Sequence, residues 1–179
     1  MSTQVSAGYA FSDQIGHLLR RAYQRHVAIF RETVPDTELT AAQFVVLCTA
    51  RDRNPCEVRD IVHATAIDEP SVRGIVERLK WRGLLALSHE PGDARRMLVS
   101  LTPAGDAMVE QTVPFALQIS ELTFGELSAD ERATLLGLLR RISGIDEPGN
   151  DRGLPPVGSP AGAAPEPQGM DNVDEDSIR

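Results

Sequence analysis

Apolar residues recur along this chain at helical spacing over most of its length, and at strand spacing over one short stretch. Phe11, Ile15, Leu18, Leu19, Ala22, His26, Ile29 and Phe30 follow three- and four-residue steps and share one face of a helix predicted from Ser12 to about Val34. Ser12 is placed to cap that helix and Pro35 to end it. "TAAQFVVLCTA" predicts a short, strongly apolar and therefore central helix. Thr40 is its N-cap, and Gln43, three residues on, is its capping-box partner. "NPCEVRDIVHATAI" predicts a third helix, with Asn54 as N-cap, Pro55 at the first helical position and Glu57 at the third. "DEPSVRGIVERLKWRGLL" predicts a fourth, capped by Asp68 and stopped at Gly83, with Val72, Ile75, Val76 and Leu79 inward.

The tight turn around Thr65–Asp68 makes the third and fourth helices a helix-turn-helix. The period then changes. "LLALSH" and "RMLVSLT" alternate as strands on either side of the "EPGDAR" turn, predicting a hairpin at the position of a wing. Thr102 and Pro103 open a long helix, which Pro114 is expected to kink. Ser128 and Glu131 form a capping box for a last helix closed by Gly144, with Leu135, Leu138, Leu139 and Ile142 on one face. The first and last helices carry more apolar surface than one small lobe covers, so a second subunit is expected to bury it.

Charge changes this picture once it is divided. The chain carries a net −8, but residues 146–179 hold eight acids against two arginines, a net −6. Six Pro and five Gly without apolar periodicity make that segment a disordered acidic tail. Its readings are a flexible end with no role and an acidic decoy that weakens non-specific DNA contact by repulsion. Residues 73–96 are instead net +3, from six basic residues against Glu77, Glu90 and Asp93. The basic character is local, and it sits on the fourth helix and the wing, where it suits DNA.

Other chemistry finds little support. The sequence has no Gly-rich phosphate loop, no nucleophile elbow and no His-Glu-x-x-His, so no enzyme is expected. The four histidines and two cysteines show no metal-ligand spacing, and no cofactor is expected. Cys56 lies near a helix N-terminus, which lowers a thiol pKa, but no resolving partner is evident for a redox switch. No apolar run is long enough to span a membrane and the N-terminus lacks a signal-peptide pattern, which predicts a cytoplasmic protein.

"LTAAQFVVL", "VRGIVERLKWRGLL" and above all "DARRMLVSLTPAG" resemble the MarR/SlyA family of winged-helix transcription regulators over about residues 12–144. The resemblance implies a mainly α fold with a small β-hairpin wing, and a homodimer through the N- and C-terminal helices. On this reading residues 1–11 are a flexible N-terminus and 12–145 the regulator domain. Within it the DNA-binding lobe spans about 40–102, and dimerisation helices lie at about 12–35 and 103–144. The function implied is sequence-specific binding of double-stranded DNA at a pseudo-palindromic operator, as a repressor released by a small aromatic acid. The arginine-rich first helix looks similar to relatives that control aromatic-acid catabolism of the nicotinate type. A Cys-based redox regulator and a winged-helix module for protein contact are the alternatives.

Ser71 and Arg73 are the candidates for base-edge contact, with Gly74 allowing close approach to a phosphate and Arg78 a phosphate ligand. Glu77 is expected to pair with Arg73 or Lys80. On the wing the resemblance sends Arg95 to the minor groove, with Asp93 orienting an arginine across the turn. Arg96 points to the other face of the strand. Many MarR/SlyA members have Thr-Arg on the recognition helix where this chain has Arg73-Gly74, which bears on the operator sequence. For the effector, His17, Arg20, Gln24, His26 and Phe44 are the candidate pocket residues, an arginine and a histidine beside apolar surface being suited to a carboxylate and a ring.

Overall fold

The computed structural model describes residues 10–90 and 92–144; the side chains of Ala94 and Arg95 lie outside that description. The expectations for residues 1–9 and for the acidic tail also fall outside it. After one 3₁₀ turn (Phe11–Asp13), the elements are α1 (Ile15–Thr33), α2 (Ala41–Asp52), β1 (Cys56–Glu57), α3 (Val58–Thr65), α4 (Glu69–Trp81), β2 (Leu85–Glu90), β3 (Asp93–Leu101), α5 (Pro103–Phe124) and α6 (Ala129–Ile142).

The predicted caps mostly close as expected. Thr40 and Gln43 exchange hydrogen bonds at the start of α2, at 3.2 and 2.8 Å. Asp68 accepts from the Ser71 amide at 2.9 Å, and Ser128 with Glu131 forms the box before α6. Two starts differ. Ser12 lies in the 3₁₀ turn and bonds Asp13, so α1 begins at Ile15 without a side-chain cap. Asn54 does not cap α3. Its side-chain oxygen accepts from the Leu101 amide at 3.3 Å, and the chain pairs as β1 before α3 opens at Val58, behind a Glu57–Asp60 capping box. The Asn54 oxygen expected to cap α3 is taken by β3 instead.

The sheet is antiparallel in the order β1-β3-β2, so the predicted hairpin gains a third strand. Cys56 pairs with Val99, and Leu87 faces Val99 from the other side. Two-residue strands carry too little periodicity to be read in sequence.

One core joins α2, α3, α4 and the sheet to the C-terminal part of α1 and to α5. Val46, Leu47, Ala50, Ile61, Val72, Leu79, Val99, Val109 and Ile119 are its fully buried members. The α1 face meets this core only at its C-terminal end. Phe30 is buried, whereas Phe11, Ile15, Leu18 and Leu19 are 41–64% exposed. On α6, Leu135, Leu138 and Ile142 are 37–59% exposed. α5 runs unbroken through Pro114 to Gly125. Proline is tolerated there at an exposed position, although it removes one hydrogen bond.

Candidate functional site

Helix α4 owes its outward face to its inward one. Val72, Ile75, Val76 and Leu79 are buried to 5% exposure or less, which turns Glu69, Arg73, Glu77 and Lys80 to the surface. Arg73 donates twice to Glu69, at 2.9 and 2.6 Å, and Lys80 donates to Glu77 at 3.4 Å. Arg73 therefore takes the glutamate one turn toward the N-terminus, the better-oriented i,i+4 pair, rather than Glu77. Such exposed pairs are worth only about 0.3–0.5 kcal/mol, so Glu69 holds the Arg73 guanidinium weakly. Ser71 sits in the first turn. Hydrogen bonds from its amide and its hydroxyl hold the Asp68 carboxyl below its ordinary value.

The turn before α4 is set by Ala66, which ends α3 in the left-handed region at φ 54°. The Thr65 hydroxyl bonds back to Ile61 and accepts from the Ile67 amide. At the other end, Arg82 makes an ion pair with Asp36 from the α1–α2 loop and lies 3.9 Å from Glu38. Burial alone would raise the Asp36 carboxyl. The hydrogen bond and charge of Arg82, with the Glu38 and Leu39 amides, hold it below its ordinary value. The recognition helix is thus tied at both ends.

On the wing, the two neighbouring arginines separate. Arg96 leaves β3 to bond Glu57 of β1, with its Nε at 2.7 Å, and its guanidinium also pairs with Glu90 of β2. One cation therefore ties all three strands. Asp93 lies close enough to add to the charge that holds Arg96 protonated, behind the larger effects of Glu57 and Glu90. Glu57 is the residue that sequence reading placed too far inside a helix: it caps α3 and anchors the wing. Arg95 lies on β3, and its side chain is outside the description.

The five candidate effector residues divide. His17, Arg20 and Gln24 come together with Arg21 and Arg25 in an open cleft of about 430 Å³ on α1. His26 turns to α5, where its Nδ1 lies 3.0 Å from the Thr123 hydroxyl. That hydroxyl already donates to the Ile119 carbonyl at 2.7 Å, so His26 Nδ1 is the donor. Phe44 is buried against Phe30, with ring centroids 6.0 Å apart. A second cleft, of about 550 Å³, opens between α1, α2 and α4. Tyr23, Ala42, Ile67, Pro70 and Ile75 wall it, and Ser71, Gly74 and Arg78 come from the recognition helix. Sequence reading missed the walls because Tyr23, Ala42 and Ile67 come from separate elements and share no motif.

The cysteines offer no poised thiolate. Burial pushes both thiols up, and the Asp60 charge adds to the effect at Cys56. The helix N-terminus expected to activate Cys56 is capped by carboxylates instead. Among the described residues, no helix is long and apolar enough to cross a membrane.

The family model described as "MarR family" matches residues 39–97, the span from the start of α2 to mid-β3. The chain is 50% identical over 139 residues to the HTH-type transcriptional repressor NicR of Pseudomonas putida, covering 78% of this chain and 88% of NicR. Bordetella bronchiseptica BpsR, whose DNA binding is regulated by 6-hydroxynicotinic acid, superposes with a TM-score of 0.72 at 60% identity, covering 76% of this chain and 98% of BpsR. An Escherichia coli MarR variant solved with operator DNA gives 0.67 at 28% identity, covering 75% and 99% of the two chains. A helix-turn-helix with a three-stranded wing, matched at this identity over nearly the whole of these relatives, settles the assignment: the chain belongs to the MarR family of winged-helix DNA-binding transcription regulators, which are not enzymes.

Proposed function

We propose that this protein is a homodimeric, cytoplasmic repressor that leaves a pseudo-palindromic operator when a small aromatic carboxylate binds beside its recognition helix. The observation that carries this reading is the overlap of the two sites. Ser71, Gly74 and Arg78 belong to the DNA-facing candidates and also line the larger cleft. That cleft joins an apolar wall and the Tyr23 ring to one guanidinium, which matches an aromatic ring bearing one carboxylate. A ligand there competes for Arg78 and pushes on the helix that reads the operator. The ligand named for BpsR, 6-hydroxynicotinic acid, is such a molecule.

Ser71 and Arg73 contact base edges, and Gly74 and Arg78 face the sugar-phosphate backbone. Arg95 enters the minor groove from the wing, and Asp93 and Arg96 hold the wing in place. Half-sites lie about 10 bp apart. Fluorescence anisotropy on an operator duplex tests both halves. Arg73→Ala and Arg95→Ala each weaken binding by roughly ten- to a hundredfold, and Arg95→Ala flattens its salt dependence. Tyr23→Ala raises the 6-hydroxynicotinic acid concentration needed for release at least about tenfold, the loss of a ring contact. Unchanged affinity and salt slope in Arg95→Ala would remove the wing from the interface. Normal release in Tyr23→Ala, with release lost in Arg20→Ala, would move the effector to the α1 cleft.

A further inference from the structure

The two clefts differ in chemistry, and the smaller one suits a different occupant. It presents Arg20, Arg21 and Arg25 with His17 and Gln24, all from α1, so that every lining residue ends in a polar or charged group and only their aliphatic stems are apolar. Between Asp13 and Glu32 the chain has four arginines and two histidines and not one acid. Among the described residues no carboxylate pairs with Arg20 or Arg21, and Arg25 spends one N–H on the Leu122 carbonyl at 3.2 Å. Guanidinium groups packed this closely repel one another, and each binds a carboxylate in a planar fork. A single ring carboxylate satisfies one of them; a run of carboxylates satisfies the set.

Such a run exists in the same chain. "DNVDED" places Asp171, Asp174, Glu175 and Asp176 within six residues. We infer that this acidic segment of the C-terminal tail docks in the arginine cleft of α1. The reach is sufficient. Arg25 lies against the α5–α6 turn, where its guanidinium comes within 3.3 Å of a side-chain position at Gly125. The 14 residues of α6 add about 21 Å at 1.5 Å per residue. From Gly144 the acidic run begins 27 residues on, and a random-coil chain of that length spans roughly 30 Å. Docking neutralises the arginine stripe and holds the tail's negative charge on α1, away from the face of α4. The inference rests on the proposed placement of the effector in the cleft of Tyr23 and Arg78, which leaves the α1 cleft to the tail.

The test uses the full chain, without DNA or effector, at low salt. In one variant the tail run is neutralised by Asp171→Asn, Asp174→Asn, Glu175→Gln and Asp176→Asn. Hydrogen exchange of the unaltered chain is expected to show α1 residues 17–25 protected, and the protection lost in the tail variant and at high salt. A fluorescent peptide of residues 171–179 binds the tail variant at least about tenfold tighter than the unaltered chain, whose own tail holds the site at high effective concentration. Arg20→Ala with Arg21→Ala, added to the tail variant, abolishes peptide binding; both side chains are exposed, so the fold tolerates the change. Equal peptide affinity for both chains, peptide binding that survives the arginine substitutions, or tail-dependent protection on α4 instead of α1 each overturns the proposal.

Discussion

A methyl group on Gly105 would sit 2.1 Å from the Leu84 carbonyl oxygen and 2.8 Å from Leu101 Cδ1. The Leu-Thr-Pro-x-Gly signature thus has a mechanical meaning. Thr102 donates its hydroxyl to the Gly83 carbonyl at 2.7 Å and accepts from the Gly105 amide at 3.0 Å, and Gly105 lets α5 start directly against the α4–β2 turn. Since the obstacle is backbone, Gly105→Ala is expected to destabilise toward the upper end of the ~1–3 kcal/mol typical of overpacking, read as a lower urea midpoint at unchanged slope. Asp36 gives a second prediction at this scale. Its folded pKa lies below its ordinary value, so its contribution is present above that value and lost as pH falls through the folded pKa. Asp36→Asn therefore lowers the urea midpoint near neutral pH. The difference from the unaltered chain shrinks as pH falls below the ordinary carboxylate range and Asp36 takes up its proton.

At the scale of elements, periodicity carried far. The four inward residues of α4, the capping boxes of α2 and α6 and the existence of the hairpin all follow from local sequence, because each rests on contacts within a few residues; the register, with its irregularity between His89 and Glu90, does not. Ser12 apart, what local spacing missed shares a cause. Asn54 bonds Leu101, Arg82 bonds Asp36 and Arg96 bonds Glu57, pairs separated by 47, 46 and 39 residues. Spacing rules do not reach that far. The Arg96 pairing predicts that Glu57→Gln loosens the wing without touching DNA itself. Hydrogen exchange in β3 accelerates, and operator affinity falls severalfold with its salt slope unchanged, whereas loss of a phosphate contact lowers the slope.

At the scale of the molecule, α1, α5 and α6 leave an apolar surface that the described protomer does not cover: Ile15 is 64% exposed, Leu117 67%, Leu138 50% and Ile142 59%. Surface of this kind is what a subunit interface buries. Light scattering is expected to give twice the chain mass. Leu138→Glu, tolerated by the protomer because the side chain is already half in water, is expected to give single chains. Operator affinity then drops by about a hundredfold, since two half-sites are no longer engaged together. A Leu138→Glu protein that remains dimeric would place the interface elsewhere.

The sequence by itself determined the helices, most of their caps, the wing and the division of charge, since all depend on neighbours at most a few residues apart or on simple counting. It also brought out the basic stretch from Arg73 to Arg96 and the arginines of α1. Only the tertiary structure decided what those cations do. It paired Arg73 with Glu69, locked Arg82 to Asp36, spent Arg96 on three strands, gathered Arg20, Arg21 and Arg25 into a cleft and aimed Arg78 into another. A charge takes its role from the partner within a few ångströms, and in a folded chain that partner is chosen by packing rather than by distance along the sequence.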